Sequence, residues 1–298
     1  MAGGGSGGHV FPALAVGEEL VRRGHQVSFT GSESGMEARL VRERGLSFEP
    51  LPARPLVGRG VLDKVRALVT VGRSTLAARS LVRRLGISVV VGTGGYASAP
   101  AVLGARLAGV PSLLVEPNAQ SGLANRWLSR WAAAAAVAYE ATTDELQCPA
   151  VVTGIPVRPS FFELAPVTRE DVAAAPRLLV LGGSQGARQL NEVVPRALAL
   201  LELAVGDAAA KVSVVHQAGR WLVDETRAAY EQAGLAKVRV EVVPFIDDMA
   251  AAMGQAHLVL SRAGAITMAE IAASGRATVL VPLPIAGGHQ ITNARLMA

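Results

Sequence analysis

Short apolar runs rich in Val, Ile and Leu recur along the chain, each followed by a glycine or polar turn and then by a stretch with helical spacing. The runs are Gln26–Thr30, Ile87–Val91, Ser112–Val115, Leu178–Leu181, Val212–Val215, Val240–Val243, Leu258–Leu260 and Thr278–Val281. Brief runs of this kind mark strands buried on both faces, and their alternation with helices predicts an α/β protein with parallel sheets covered on each side. Apolar residues at helical spacing begin with Phe11, Leu14, Ala15 and Leu20, and further helices are expected over Met36–Arg44, from Pro100, and near Leu190, Thr267 and Gln290. Prolines at 149, 156, 159 and 166 interrupt the pattern, which divides the chain into two Rossmann-like domains, 1–158 and 159–298. Only Met1-Ala2 precede the first glycine turn, where a buried strand is expected, and the pattern stops inside the helix near Gln290, so both ends are expected to be truncated.

The turns carry the candidate chemistry. Gly3 to Pro12 holds five glycines and a serine ahead of a helix. Glycine lets backbone N–H groups close on an anion, and the helix N-terminus adds partial positive charge, which makes a phosphate seat. Gly3, Gly5 and Gly8 also fit G-x-G-x-x-G. A dinucleotide loop wants an acidic residue closing the next strand; that strand ends in Thr30-Gly31 with Glu33 beyond it, which disfavours a nicotinamide cofactor and leaves His9 unexplained. A twin loop, Gly182-Gly183-Ser184-Gln185-Gly186, directly follows a strand. Residues just past the carboxyl ends of parallel strands line the ligand crevice, which places Gly94, Gly95, Tyr96, Glu116 and Asn118 there. Asp247 and Asp248 suit a helix N-cap. Glu270, two turns into its helix, is either solvated or placed to bond both hydroxyls of a ribose, and Trp127 and Trp131 share a helix face as packing residues.

Composition narrows the classes. At 298 residues and 50% hydrophobic, with mean hydropathy +0.35, the chain has apolar area for two cores. Its longest apolar run, Trp131 to Tyr139, is far short of the roughly 20 residues of a membrane span. A single cysteine, Cys148, excludes an intramolecular disulfide framework and a cysteine zinc site within these residues. The formal charge is +5. Arg54, Arg59, Lys64, Arg66, Arg73, Arg79, Arg83 and Arg84 crowd one stretch among Val61, Leu62, Val65, Leu68, Val69, Leu76, Leu81 and Val82. That pattern fits a membrane-surface helix or, equally, a helix packed on a sheet with a solvated arginine face. Aromatic residues at 4% supply few stacking platforms for nucleic acid.

Taken in order, Gly-Gly-Ser-Gly-Gly-His-Val-Phe-Pro, Gly-Thr-Gly-Gly-Tyr, Gly-Ile-Pro-Val-Arg, Gly-Gly-Ser-Gln-Gly-Ala-Arg, Phe-Ile-Asp-Asp-Met and Gly-Ala-Ile-Thr-Met-Ala-Glu resemble the MurG family, glycosyltransferase family 28, across essentially the whole chain. The resemblance implies the GT-B fold, two Rossmann-like domains facing across a cleft, and inverting transfer of N-acetylglucosamine from UDP-GlcNAc to the MurNAc 4-hydroxyl of an undecaprenyl-pyrophosphoryl-MurNAc-pentapeptide. It implies a peripheral place on the cytoplasmic side of the cell membrane, an anionic membrane surface as partner, and no cofactor. By position, donor contacts fall on Ser6, Gly7, Gly8, Asn118, Arg158 and Ser184, on Ile246 for the uracil, on Ala265, Ile266, Thr267, Met268, Ala269 and Glu270 for ribose and phosphates, and on Gln290 for the sugar. Gly94, Gly95, Tyr96 and Glu116 belong to the acceptor side. The family generally has Thr at Ser6, Glu-Gln-Asn at Glu116-Pro117-Asn118, Asn at Ile155 and acidic residues at Gly287-Gly288.

Such a transfer needs a base for the acceptor hydroxyl and charge compensation for the departing UDP. No Asp-x-Asp is present to hold a metal. The helix after Gly182–Gly186, with Arg262 or Arg188, is expected to take the charge, and His9 is the candidate base, with loop orientation or acceptor-phosphate binding as its alternative role. A UDP-GlcNAc 2-epimerase or a Rossmann oxidoreductase would use related loops.

Overall fold

In a computed structural model of the protein, residues 1–52, 61–183, 185–283 and 289–297 are described, 61–68 as backbone alone. The chain forms two compact units, Met1–Pro156 and Val157–Ala298. The division lies two residues before the composition boundary at 158, so Arg158 belongs to the second unit.

The first unit runs α1 (Gly7–Arg22), β1 (Ser28–Gly31), α2 (Met36–Glu43), β2 (Ser47–Pro50), α3 (Val61–Arg84), β3 (Val90–Gly92), α4 (Ser98–Ala108), β4 (Ser112–Glu116), α5 (Leu123–Leu128), β5 (Ala134–Val137) and β6 (Ala150–Val152). β1 pairs with β2, and β3-β4-β5-β6 form a second group, all parallel. Ala2 joins the groups through single parallel bridges to Thr30 and Gly92. The order is therefore β2, β1, Ala2, β3, β4, β5, β6, and chain progression reverses at Ala2. Beside this bridge lies a cavity of about 650 Å³ lined by Val27, Phe29, Leu81, Val82, Val89 and Val91 among others. Val10, Leu14, Phe29, Leu40 and Val41 bury α1 and α2 against β1.

The second unit runs α6 (Arg169–Ala174), β7 (Arg177–Leu181), α7 (Arg188–Val205), β8 (Ser213–Gln217), α8 (Val223–Ala233), β9 (Arg239–Val243), α9 (Met249–Gln255), β10 (Leu258–Ser261), α10 (Ala265–Ser274), β11 (Ala277–Leu280) and α11 (His289–Met297). Its parallel sheet has the order β11-β10-β7-β8-β9, the doubly wound arrangement with its reversal between β7 and β10. The period of two along β7 supplies both cores: Val180 packs with Leu190, Val194 and Tyr230, while Leu179 and Leu181 pack with Phe161, Met253 and Ile271.

Three strands were not anticipated: β2, β5 and β6. β5 lies in the alanine-rich run read above only against the membrane-span length; alanine has little strand preference, and pairing on both sides, with β4 and β6, decides its state. α5 ends at Leu128, so Trp131 lies past it; the two tryptophan rings meet edge to face at 4.5 Å, and Trp127 is partly exposed. Asp248 caps α9, its Oδ1 accepting the Ala251 N–H at 3.0 Å. α3 packs on α4 through a narrow contact: a Cβ on Gly104 would stand 2.6 Å from Ala78 Cβ and 2.8 Å from Arg79 N. Overpacking of this kind costs about 1–3 kcal/mol, so Gly104→Val is expected to lower the urea midpoint by that equivalent with an unchanged m-value. An unshifted midpoint would show that the two helices do not pack this closely.

Candidate functional site

In the first unit the loops leaving Ala2 and β3 emerge side by side, because the Ala2 N–H donates to Val91 O at 2.8 Å and the Thr93 N–H to Ala2 O at 2.9 Å. Gly95 has φ +77°, and a Cβ there would overlap the Gly4 carbonyl oxygen. Only glycine allows this approach. Thr93 Oγ1 donates to His9 O at 2.7 Å, and His9 Nδ1 lies 2.9 Å from Thr93 O. A carbonyl only accepts, so Nδ1 carries the hydrogen and a neutral ring presents its lone pair at Nε2. The ring rests on Gly94, whose Cβ would stand 2.7 Å from Nδ1. Tyr96 backs Gly5, at 2.9 Å from a Cβ there, and its hydroxyl donates to Glu37 Oε1 at 2.9 Å. Ser6 is the N-cap residue of α1 without a side-chain capping bond, and Gly7 and Gly8 are its first residues. The expected residues His9, Gly94, Gly95 and Tyr96 thus come together around one backbone contact.

Glu116 and Asn118 form a cluster of their own at the end of β4. Glu116 is buried; Oε1 accepts the Asn118 N–H at 3.1 Å and Asn118 Nδ2 at 2.9 Å, and Oε2 accepts the Gly122 N–H at 2.8 Å and Asn125 Nδ2 at 3.0 Å. Glu116, at the carboxyl end of β4, organises the loop that follows it. Four donors satisfy a buried carboxyl that would otherwise be costly. Asn125, from α5, was missed; its only signal is an amide in an apolar helical stretch.

In the second unit the loops after β7 and β10 flank the sheet's reversal. Gly186, φ +81°, lies so close to the Ala218 carbonyl that a Cβ would overlap it, and the Gly182 N–H donates to Gln217 O at 3.2 Å. Ser184 lies outside the described residues, as do Arg54, Arg59 and Gly287-Gly288, and the side chains of Lys64 and Arg66. Behind the loop is a network that sequence reasoning missed: His216, fully buried, meets the Tyr230 hydroxyl at 2.9 Å and Asn191 Oδ1 at 3.1 Å, while Asn191 Nδ2 donates to Ala218 O at 2.9 Å. Burial pushes the His216 imidazole down to about 4, so it stays neutral near pH 7. The network holds the carbonyl on which Gly186 rests.

α10 opens at Ala265 behind Gly264, which has no side chain to cap it. Its first N–H groups have no intrahelical acceptor and carry the helix's partial positive charge. Ala265, Ile266 and Met268 are buried, and Thr267 and Ala269 are half-buried. Glu270 is buried and lies 3.4 Å from Arg158 Nη2, and the Arg158 guanidinium sits 4.9 Å from the Phe161 ring centre. Burial pushes the Glu270 carboxyl up to about 7, against the lowering pull of Arg158. The Ile246 N–H donates to Gln217 Oε1 at 3.1 Å, and Gln290 Oε1 accepts the Leu283 N–H at 2.9 Å. Arg262 donates to Val281 O at 3.0 Å and to Gln189 Oε1 at 3.2 Å, whereas Arg188 forms an exposed pair with Glu225 at 3.2 Å. Of the two arginines, Arg262 is built into the loop wall and Arg188 is tied to α8.

The model of the glycosyltransferase family 28 N-terminal domain matches residues 1–137, and that of the family's C-terminal domain matches residues 177–298. The chain belongs to glycosyltransferase family 28. It is 42% identical over 302 residues to a UDP-N-acetylglucosamine--N-acetylmuramyl-(pentapeptide) pyrophosphoryl-undecaprenol N-acetylglucosamine transferase of Syntrophotalea carbinolica, covering 100% of this chain and 82% of that protein. A transferase of the same name from Sorangium cellulosum is 44% identical over 301 residues, 99% of this chain and 72% of its own. The crystal structure of Acinetobacter baumannii MurG superposes with a TM-score of 0.68 at 36% identity, covering 98% of this chain and 80% of that one. Its two Rossmann-like units are those of the GT-B fold. In this family-28 chain the paired glycine loops of each unit stand at the corresponding reversal point.

The Glu270 carboxyl is raised in the folded chain from its usual 4.5 to about 7. Its contribution to stability is therefore complete below about 4.5 and is lost as pH rises through about 7. Carbon-13 NMR of labelled glutamate is expected to show one carboxyl titrating near neutrality, absent in Glu270→Gln and moved higher in Arg158→Met.

Proposed function

We propose that the chain transfers N-acetylglucosamine from UDP-GlcNAc to the MurNAc 4-hydroxyl of undecaprenyl-pyrophosphoryl-MurNAc-pentapeptide, releasing UDP with inversion at the sugar carbon. The observation that carries this reading is identity of 42% to a named transferase over 100% of this chain. A doubly wound sheet alone serves many reactions, epimerases and oxidoreductases included.

The chemistry assigns roles to residues already placed. His9 Nε2 takes the acceptor hydroxyl proton as the oxygen bonds to the sugar carbon and the bond to UDP breaks. The bond from Nδ1 to Thr93 O supports this role, because it sets the tautomer a base requires. The N–H groups opening α10 and the partial positive charge at the start of α7, behind the glycine loop, compensate the charge on the departing diphosphate. Glu270 accepts the ribose hydroxyls, and Arg158 holds it nearby. Asn118 and Gln290 position the donor sugar.

Among the described residues no helix is long and apolar enough to cross a membrane. α3 supports a surface contact instead: Val69 and Leu76 are exposed on the same side as Arg73 and Arg83, while Ser74, Ala78 and Val82 face inward. Exposed apolar groups interleaved with arginine suit an anionic bilayer surface, at about 1 kcal/mol per well-placed cation.

Transfer of labelled N-acetylglucosamine from UDP-GlcNAc into an extractable lipid acceptor tests the activity, and a label that stays in the aqueous phase would refute it. His9→Ala is expected to lower turnover about 10²-fold or more with UDP-GlcNAc binding unchanged, and a drop of only a few fold would remove His9 as the base. Cosedimentation with vesicles is expected to increase with anionic lipid and to fall with salt; binding indifferent to both would exclude α3 as an electrostatic contact.

A further inference from the structure

Glu37, in the first turn of α2, is 2% exposed. Its Oε1 accepts the Ser32 N–H at 3.0 Å and the Tyr96 hydroxyl at 2.9 Å, while Oε2 is buried without a partner among the described residues. Glycines make space for this carboxyl. A Cβ on Gly4 or Gly31 would stand 2.6 Å from the side chain, and one on Gly35 would overlap it. A buried carboxyl with an oxygen left unsatisfied is costly to the fold, and this one reaches into the glycine loop beside His9.

Tyr96 has one O–H, and that proton goes to Glu37, while the Ser32 hydroxyl donates to the phenol oxygen. The phenol oxygen keeps only its remaining lone pair for anything else that approaches it. Burial first, and then Glu37, push Tyr96 up to about 12 against the opposing pull of the Ser32 hydroxyl, so the proton stays in place at any working pH. The Tyr96 ring also backs Gly5, which fixes where that oxygen stands relative to the loop. Electron-rich oxygens beside Gly4 and Gly5 attract a group that carries a hydrogen and repel a phosphate oxygen. This is the reverse of what a glycine loop ahead of a helix implies by itself.

We propose that Glu37 is a positioning residue that holds Tyr96 as a hydrogen-bond acceptor, so that the corner at Gly4, Gly5 and Tyr96 takes a hydroxyl or amide N–H of the acceptor's sugar and turns away its phosphates. The proposal rests on the transferase reading, and its test separates the two. Tyr96→Phe and Glu37→Leu are each expected to lower kcat/KM for the lipid acceptor about tenfold or more with KM for UDP-GlcNAc unchanged. The double variant loses no more than either single one, and Glu37→Gln, which keeps an accepting oxygen, restores most of the loss. Additive losses, or a loss falling on the donor, would overturn the assignment. If Glu37→Leu fails to fold, the cycle between Glu37→Ala and Tyr96→Phe decides by the same criterion. Wild-type protein that transfers nothing refutes the transferase reading alone, because carbon-13 NMR of the tyrosine Cζ still reports on Tyr96. N-acetylmuramyl-pentapeptide is expected to move that resonance and inorganic pyrophosphate to leave it; the opposite result, or a resonance unmoved by Glu37→Gln, would overturn the inference.

Discussion

Two backbone segments approach closer than any side chain permits at the carboxyl edge of each sheet, at the strand-order reversal in the first unit and between the loops after β7 and β8 in the second, and the candidate chemistry of this protein hangs on those contacts. In the first unit Gly95 meets the Gly4 carbonyl, and in the second Gly186 meets that of Ala218. Parallel strands send all their carboxyl-end loops to one edge of the sheet, and at a reversal two neighbouring loops turn to opposite faces and open a crevice. A Cβ at either glycine would push the loops apart by more than hydrogen-bonding groups tolerate. His9, set on Gly94 and tied to Thr93, and the loop ahead of α7 both inherit their positions from this constraint.

The same device serves different electrostatics in the two units. In the second, the reversal is bordered by the opening N–H groups of α10, which favour negative charge. Glu270 lies deeper, where burial outweighs Arg158 and raises its proton affinity. In the first, the loop resembles an anion seat by composition, but a buried carboxyl and a tyrosine oxygen stand behind it. What a glycine loop recognises is thus decided by the groups behind it, which lie far away in sequence: Glu37 and Tyr96 are 59 residues apart.

Buried polar groups also build the scaffold around these loops. Glu116 gathers four donors and closes the turn from β4 to α5. His216, neutral because it is buried, links Tyr230 to Asn191 and so to the Ala218 carbonyl. Each network gives a buried side chain, Glu116 or His216, the partners that offset the cost of burying it. The basic helix α3 shows the converse, with Val69 and Leu76 left exposed beside Arg73.

The residues alone determine a good deal. Apolar runs such as Leu178–Leu181 and Leu258–Leu260 announce parallel strands, because a strand covered on both faces has no polar period. The twin glycine loops and His9 are visible because their composition is unusual at fixed positions. Tertiary structure decided the rest. The alanines of β5 become a strand only through β4 and β6, since alanine has no local preference for one. Glu116 reads as a crevice carboxyl, and Glu37 carries no local signal, until their donors, brought in from other elements, are known. Local pattern records how a segment buries itself; which distant groups complete a polar side chain is a property of the fold, and that is where the function of these loops is set.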